Sequence, residues 1–141
     1  MDDRTAAFLN RMNQAAQGTF WDFLGARLES FAPDHVVVAL DVQPHHLNLI
    51  GILHGGVYAT LLDSAMGLAA MAAKPDESLV TTNLNIHYLS PVRLGTIKVT
   101  GKILHSSRKM ITTEGRVHNS DGELCAFGTG TFRVISRNTD G

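Results

Sequence analysis

Length, composition and charge limit what this chain can be. It has 141 residues, of which 44% are hydrophobic and 18% charged, and its formal net charge is −1. That length suits a single domain, and that hydrophobic fraction excludes a disordered chain. A nearly neutral chain lacks the basic excess of a nucleic-acid-binding protein, so we expect no nucleic-acid partner. The single cysteine, Cys125, cannot form an intrachain disulfide.

The sequence predicts neither a targeting signal nor a membrane span. Its first residues include Asp2 and Asp3, where a signal peptide would be basic. The most apolar stretch, residues 57–73, is interrupted by Asp63 and Gly67 and is short for a membrane-crossing helix. We therefore expect a cytoplasmic protein with no membrane partner.

The first predicted element is a short amphipathic helix over residues 2–16, capped at its start by Asp2 or Asp3. The aromatic-rich segment 19–24 follows and is expected to anchor this helix to the rest of the protein. Together, residues 1–24 are predicted to form an N-terminal helical extension.

A strand and a long helix come next. Residues 36–42 alternate in the manner of a strand, and residues 43–53 show no clear period and are predicted to form a loop. Residues 56–73 are rich in alanine, leucine and methionine, which predicts a buried helix that ends before Pro75.

The rest of the chain has a period of two, which is typical of strands. Strands are predicted at residues 80–88, 97–103, 110–119 and 123–135, with an Asp-Gly hairpin turn between the last two. In the first of them, strict alternation places Thr82, Leu84 and Ile86 on one face, and Thr81, Asn83 and His87 on the other.

These elements predict the fold class. Strands that follow one another through short loops are expected to pair antiparallel, and a helix that is apolar all round needs cover on all sides. We therefore predict an α+β fold in which a curved antiparallel sheet wraps around one long central helix, with an extra N-terminal helix. The single domain would span 1–141, with a polar tail at 136–141. Pairing with a second copy would cover the sheet edge that such a fold leaves open.

The sequence His54-Gly55-Gly56 stands where the long helix begins. Glycine is a poor choice in a helix, and the first N–H groups of a helix have no partner within it. A glycine there would let a negatively charged or developing negative oxygen reach the N–H group of Gly55 or Gly56. The alternative is that the two glycines only allow a tight turn or close packing.

Asp63 is the one charged residue in the apolar helix. A carboxylate in apolar surroundings is costly unless it is paired or used, so Asp63 is a candidate general base or nucleophile. The alternative is a structural aspartate whose oxygens are satisfied by Ser64, Thr60 or backbone groups.

The spacing of these two features has a consequence for the assembly. Gly55 and Asp63 are eight positions apart, which corresponds to about 12 Å along a helix. Groups that far apart cannot both touch one carbonyl carbon from the same helix. If they act together, Asp63 must come from a second copy of the chain, and a symmetric dimer would carry two such sites.

These residues belong to a longer pattern, which consists of Asn48, His54-Gly55-Gly56, Asp63 and the run Thr-Thr-Asn-Leu-Asn-Ile-His-Tyr-Leu-Ser-Pro at 81–91. The pattern resembles the PaaI-like, phenylacetic-acid-degradation branch of the hotdog-fold acyl-CoA thioesterases, and the resemblance covers residue 36 onward. It implies a hotdog fold and a homodimer that commonly pairs into a homotetramer. It also implies hydrolysis of the thioester between coenzyme A and an acyl group, without a metal or another cofactor.

The resemblance also implies roles for individual residues. Gly55 matches the residue whose N–H polarises the thioester carbonyl, and Asp63 matches the carboxylate that acts as nucleophile or as base for water. Asn48 matches a polar loop residue that orients the thioester or the water, and His54 stands beside the oxyanion donor. Thr81 lies where relatives often carry serine or threonine near the attacking water.

Six further residues are candidate substrate-binding positions: Gly56, Asn83, His87, Arg93, Arg108 and Lys109. The three basic ones suit the phosphates of coenzyme A, although ordinary solvated turn residues would look the same. The adjacent His45 and His46 lack the spacing of a zinc site, so no metal is predicted.

Two other functions remain open at this point. A non-catalytic acyl-CoA-binding protein on the same fold would keep Gly55 but would not need Asp63. A hotdog hydratase or dehydratase acting on enoyl or hydroxyacyl thioesters would need a paired acid and base, which the His-Gly-Gly start of the helix does not suggest.

Overall fold

The structure is a computed structural model, which describes residues 2–33 and 35–135, and the predicted polar tail at 136–141 lies outside the described residues. The helices are α1 (Asp3–Ala16), α2 (Phe20–Leu24) and α3 (Gly55–Ala73), with a short 3₁₀ turn at Pro44–His46. The strands are β1 (Arg27–Ala32), β2 (His35–Asp41), β3 (Ser78–Tyr88), β4 (Thr96–Ser106), β5 (Met110–His118) and β6 (Leu124–Ile135).

All six described strands form one antiparallel sheet in the order β1-β2-β4-β5-β6-β3. Pairing of consecutive strands is confirmed for β4, β5 and β6. It is wrong for β3, which pairs with β6 at the far edge of the sheet. The connection 89–95 explains the difference, because it is longer than a hairpin loop of about 2–5 residues and carries the chain from that edge to the middle of the sheet.

Strand β1 is an element that the sequence analysis missed. Its register with β2 shifts between Leu28 and Ser30, so Glu29 is an extra residue. Such a bulge breaks the period of two, which is the signal by which a strand is recognised in a sequence.

The core lies between α3 and the curved sheet, and α3 packs against five strands, β2 to β6. The buried side chains of α3 recur in pairs one turn apart: Val57, Tyr58, Leu61, Leu62, Ala65, Met66, Ala69 and Ala70. The sheet and the helix are in close contact at Gly101, where a Cβ atom would lie 2.5 Å from the carbonyl oxygen of Ala65. Glycine at this position therefore lets the helix and the sheet come together.

The predicted curved sheet around one long helix is confirmed, but burial of that helix on all sides is wrong. Asp63, Ser64, Gly67 and Leu68 are only half-buried, so the sheet does not fully cover this strip of α3. With 19 residues, α3 is long and apolar enough to meet a minimal test for a membrane-crossing helix, although the sheet covers its most apolar face.

The N-terminal extension forms as predicted, with one correction. Asp2 caps α1, because its Oδ1 accepts a hydrogen bond from the backbone N–H of Thr5 at 2.7 Å. In α2, Trp21 packs against the core, whereas Phe20 and Phe23 are 61% and 78% exposed. The aromatic segment therefore anchors the extension through Trp21 and not through its phenylalanines.

Candidate active site

A β-bulge in β3 determines which way Thr81 faces. Thr81 pairs with Phe132 and Asn83 pairs with Thr131, so Thr82 is an extra residue between them. A bulge of this kind reverses the side on which the following residues point. The predicted strict alternation is therefore wrong here, and Thr81 faces α3 while Asn83 does not.

Thr81 and Asp63 are in direct contact as a result. The Thr81 hydroxyl donates a hydrogen bond to Oδ1 of Asp63 at 2.8 Å. Among residues 2–33 and 35–135, no basic side chain lies within ion-pair distance of Asp63. The proposed structural partner Thr60 bonds elsewhere, to the carbonyl oxygen of Gly56. Asp63 is thus held in place by one hydroxyl while its charge is not neutralised by a salt bridge.

The start of α3 distinguishes between the two glycines. His54 is the N-cap residue, and its Nδ1 accepts a hydrogen bond from the N–H of Gly56 at 2.8 Å. The Gly56 N–H, predicted to bind substrate, therefore already has an acceptor within the chain. The Gly55 N–H has no acceptor within the described part of the chain, and it remains as the available donor.

Tyr88 completes the surroundings of Gly55 and was not predicted as a site residue. Its hydroxyl donates to the Gly55 carbonyl oxygen at 2.9 Å. The ring of Tyr58 meets it edge-on, with centroids 5.4 Å apart, and burial raises the pKa of Tyr58 to about 12. A tyrosine within the 81–91 motif was the only sequence signal, and it did not reveal a contact with a residue 33 positions earlier.

Asn48 organises the loop that precedes α3. Its Oδ1 accepts hydrogen bonds from the N–H groups of Ile50 and Ile52, at 3.0 and 3.2 Å. The side-chain NH₂ group is left as the remaining donor. Asn48, Gly55, Tyr58 and Tyr88 line a shared concavity of about 420 Å³, which we call the Gly55 recess.

A second concavity, the Asp63 cleft, has a volume of about 610 Å³ and lies between α3 and the N-terminal extension. Asp63, Ser64 and Thr81 are its polar residues on the side of α3 and β3, and Asn13 and Arg27 are polar residues that line it elsewhere. The residues that line the cleft and those that line the Gly55 recess do not overlap. Within one chain, the structure therefore brings Asn48 together with Gly55, and Thr81 together with Asp63, but keeps the two pairs apart.

The other predicted substrate-binding residues are dispersed. Asn83 and His87 follow the bulge on the face opposite Leu84, and His87 stacks on Phe127 with centroids 4.9 Å apart. Neither residue lines the Gly55 recess or the Asp63 cleft. Arg93 is exposed, two residues beyond the edge of the Gly55 recess.

Arg108 and Lys109 are also exposed, but they lie at the other end of the sheet. They stand in the turn between β4 and β5, where the Lys109 carbonyl accepts a hydrogen bond from Val134. This is the end of the sheet at which β3 begins, since Ser78 pairs with Ile135. The basic residues proposed for coenzyme A therefore do not meet within one chain.

His46, in the loop before α3, has structural surroundings, whereas the adjacent His45 is exposed. His46 is buried, with Nδ1 accepting from the Gln43 N–H at 2.9 Å and Nε2 within hydrogen-bond distance of the Leu24 carbonyl, at 2.8 Å. In the described ranges, no three histidine, cysteine or acidic side chains are grouped in a way that could hold a metal ion.

Comparison with known proteins shows the family to which the chain belongs. Residues 50–126 match the family described as "Thioesterase superfamily". Human acyl-coenzyme A thioesterase 13 is 35% identical over 106 residues, covering 74% of this chain and 76% of that protein. The solved structure of the PaaI protein from the phenylacetic acid degradation operon of E. coli covers 92% of this chain and 94% of its own, with a TM-score of 0.83 and 22% identity. A PaaI mutant from Thermus thermophilus covers 82% and 98%, with a TM-score of 0.77 and 31% identity.

The fold is thus that of the hotdog thioesterases, and the chain belongs to the thioesterase superfamily. The predicted resemblance to the PaaI-like branch is confirmed. The protein is an enzyme of thioester hydrolysis, which the comparisons support over the non-catalytic and hydratase alternatives.

Proposed function

We propose that this protein hydrolyses the thioester bond of an acyl-coenzyme A, in an active site that two copies of the chain share. The observation that carries the proposal is the division of the site within one chain. The free Gly55 N–H and the Asp63 carboxylate lie in separate concavities, although thioester hydrolysis needs an oxyanion donor and a base at the same carbonyl. The similarity to human acyl-coenzyme A thioesterase 13 supports coenzyme A as the leaving group.

The sheet edge explains how two copies would complete the site. Beyond its pairing with β6, β3 has a second edge that no other described strand occupies, and Val80 and Tyr88 are exposed along it. Tyr88, near the end of β3, contacts Gly55, whereas Thr81, near its start, contacts Asp63. Antiparallel pairing of β3 with β3 of a second copy would therefore place the Gly55 recess of one chain beside the Asp63 cleft of the other.

The same pairing would gather the dispersed basic residues. Arg93 lies near the Gly55 recess, and Arg108 and Lys109 lie at the end of the sheet where β3 begins. In an antiparallel dimer these opposite ends come close, so the three residues would border one site and could bind the phosphates of coenzyme A. Further pairing of dimers into a homotetramer, a cytoplasmic location and independence of any cofactor are part of the same proposal.

In the proposed reaction, Gly55, Asp63 and Thr81 each have a separate role. The Gly55 N–H donates to the thioester carbonyl oxygen and stabilises the negative charge that develops there. In one route, Asp63 removes a proton from water, and the water oxygen forms a bond to the carbonyl carbon. In the other route, the Asp63 carboxylate attacks that carbon itself and forms an anhydride, which water then hydrolyses. The bond from carbon to sulfur breaks, and coenzyme A leaves as a thiolate that takes up a proton. Thr81 fixes the orientation of the Asp63 carboxylate throughout.

Mixing two inactive variants tests the shared site. In a hybrid dimer of Asp63→Asn and Gly55→Val chains, one site has both defects and the other has none. Random exchange of subunits should therefore restore about a quarter of the wild-type activity. Release of free thiol from acyl-coenzyme A measures the activity, and native mass spectrometry measures the fraction of hybrids. Hybrids that form without any recovery of activity would contradict a site shared across the dimer.

Tyr88→Phe tests whether Tyr88 positions the oxyanion donor. The ring and its packing on Tyr58 are kept, but the hydrogen bond to the Gly55 carbonyl is lost. One hydrogen bond contributes about 0.5–1.5 kcal/mol. If that amount is lost from the stabilisation of the transition state, kcat should fall about two- to tenfold with little change in KM. Tyr58→Phe is the matched control, because its hydroxyl makes a longer bond, 3.3 Å, to the Ser90 carbonyl. An equal loss in both variants would count against the positioning role.

A further inference from the structure

The Asp63 cleft continues from Asp63 along α3 as an apolar groove. Gly67 and Met71 follow Asp63 at intervals of four residues, so all three lie on the same side of the helix. Met12 of α1 and Trp21 of α2 line the cleft from the N-terminal extension. A volume of about 610 Å³ is within the range of small-molecule sites.

The polar residues of the cleft are concentrated at Asp63, and elsewhere its lining contains two others, Asn13 and Arg27. Asp63, Ser64 and Thr81 form one polar group, since Asp63 and Ser64 are adjacent and Thr81 bonds to Asp63. Most of the remaining lining is apolar, and the charge of Arg27 is paired with Asp41 at 3.0 Å. The lining therefore suits a ligand that has one polar, reacting end and a long apolar remainder.

Gly67 has no structural explanation in the packing of the chain. A Cβ atom at this position would lie 3.4 Å from Cε1 of Phe132, which is an ordinary contact distance, so the fold has room for a side chain. Glycine is nonetheless unfavourable inside a helix. Its effect at this position is to leave the floor of the cleft open between Asp63 and Met71.

We propose that this cleft holds the acyl chain of the substrate, that the preferred substrates are linear medium-chain acyl thioesters, and that Gly67 determines which chain lengths fit. This inference rests on the proposed function. Asp63 and Met71 are eight positions apart in α3, which corresponds to about 12 Å along the helix. An extended hydrocarbon advances roughly 1.3 Å per carbon, given bonds of about 1.5 Å, so the groove accommodates about nine carbons.

A series of acyl-coenzyme A substrates from two to sixteen carbons, together with phenylacetyl-coenzyme A, tests the proposal. In the wild type, kcat/KM should rise about fourfold per added methylene, the equivalent of about 0.8 kcal/mol, and level off near nine or ten carbons. Gly67→Leu would fill the groove and should lower the ratio of kcat/KM for decanoyl to butyryl substrate at least tenfold. Met71→Ala should move the preference toward longer chains.

Ala73→Leu is the matched control, because it adds the same side chain to an exposed position of α3 outside the cleft and should keep the wild-type ratio. If the leucine variant does not fold, Gly67→Ala replaces it in the test. The smaller side chain should lower the ratio of kcat/KM for decanoyl to butyryl substrate by less than leucine would. An unchanged ratio in the Gly67 variants, or a preference for phenylacetyl-coenzyme A, would overturn this inference alone. Equal losses at all lengths with a change in oligomeric state would show instead that the cleft is an interface between copies. Absence of hydrolysis of every thioester by the wild type would overturn the proposed function as well.

Discussion

Asp63→Asn is expected to lower the rate of thioester hydrolysis by roughly 10²–10⁴-fold, as for the loss of a positioned acid or base. This range corresponds to about 2.7–5.4 kcal/mol on the activation barrier. Asparagine keeps the shape of the side chain and an oxygen that can accept the hydrogen bond from Thr81, but it has neither the negative charge nor the basicity of the carboxylate. The measurements are kcat/KM for thiol release and the melting temperature of the same preparation.

The two roles open to Asp63 predict opposite results. A carboxylate that is kept for chemistry is a local cost to folding, so its removal should leave the melting temperature unchanged or raise it. A structural aspartate predicts a lower melting temperature and a nearly normal rate in the folded fraction. Asp121→Asn, in the exposed turn between β5 and β6, controls for the loss of one charge. Activity of the Asp63 variant within a few-fold of the wild type would show that the proposed mechanism is wrong.

The elements that the sequence predicted well are those whose periodicity is long and uninterrupted. The long helix was predicted over 56–73 and begins one residue earlier, at Gly55. The hairpin of β5 and β6 was also predicted, because an Asp-Gly turn separates two alternating runs. The order of the strands in the sheet was less predictable, because the position of β3 beside β6 depends on contacts between distant parts of the chain.

Bulges account for the largest errors. The extra residue Glu29 hid β1, and the extra residue Thr82 reversed the predicted side of Thr81. Alternation alone placed Thr81 away from the helix, whereas the resemblance placed it near the attacking water. Its hydrogen bond to Asp63 agrees with the resemblance. Matching a family motif compares residues position by position and does not assume a regular strand. Alternation with a period of two assumes that the strand has no bulge, so it assigns the wrong side to a residue next to one.

The details of the candidate site depended on side-chain directions that a sequence does not contain. The start of the helix alone did not distinguish Gly55 from Gly56 as a donor, whereas the structure shows that the ring of His54 accepts the N–H of Gly56. Tyr88 was predicted only as a strand residue, and its contact with Gly55 arises because the end of β3 passes the start of α3. The separation of Gly55 from Asp63, by contrast, followed from the eight-residue spacing and the rise of a helix, and in the structure the two residues line different concavities.

Gly55→Val is expected to reduce kcat/KM by roughly 10²–10³-fold, or about 2.7–4 kcal/mol, the usual effect of losing one oxyanion donor. Valine keeps the backbone N–H but places two methyl groups beside it, where they would prevent the thioester oxygen from reaching the donor. A Cβ atom at this position would lie 3.5 Å from the Tyr88 hydroxyl oxygen, an ordinary contact, so the start of α3 can accept a side chain. The melting temperature should therefore be close to that of the wild type.

Two control variants distinguish blocking of the Gly55 N–H from damage to α3: a smaller side chain at the same position, and the same side chain at another position of the helix. Gly55→Ala adds a single methyl group and should cost less activity than Gly55→Val, because alanine covers less of the Gly55 recess. Ala73→Val introduces valine at the exposed end of the same helix and should retain full activity. If Gly55→Val keeps both its melting temperature and its activity, Gly55 is a packing glycine. The oxyanion donor would then have to be sought elsewhere, because His54 occupies the N–H of Gly56.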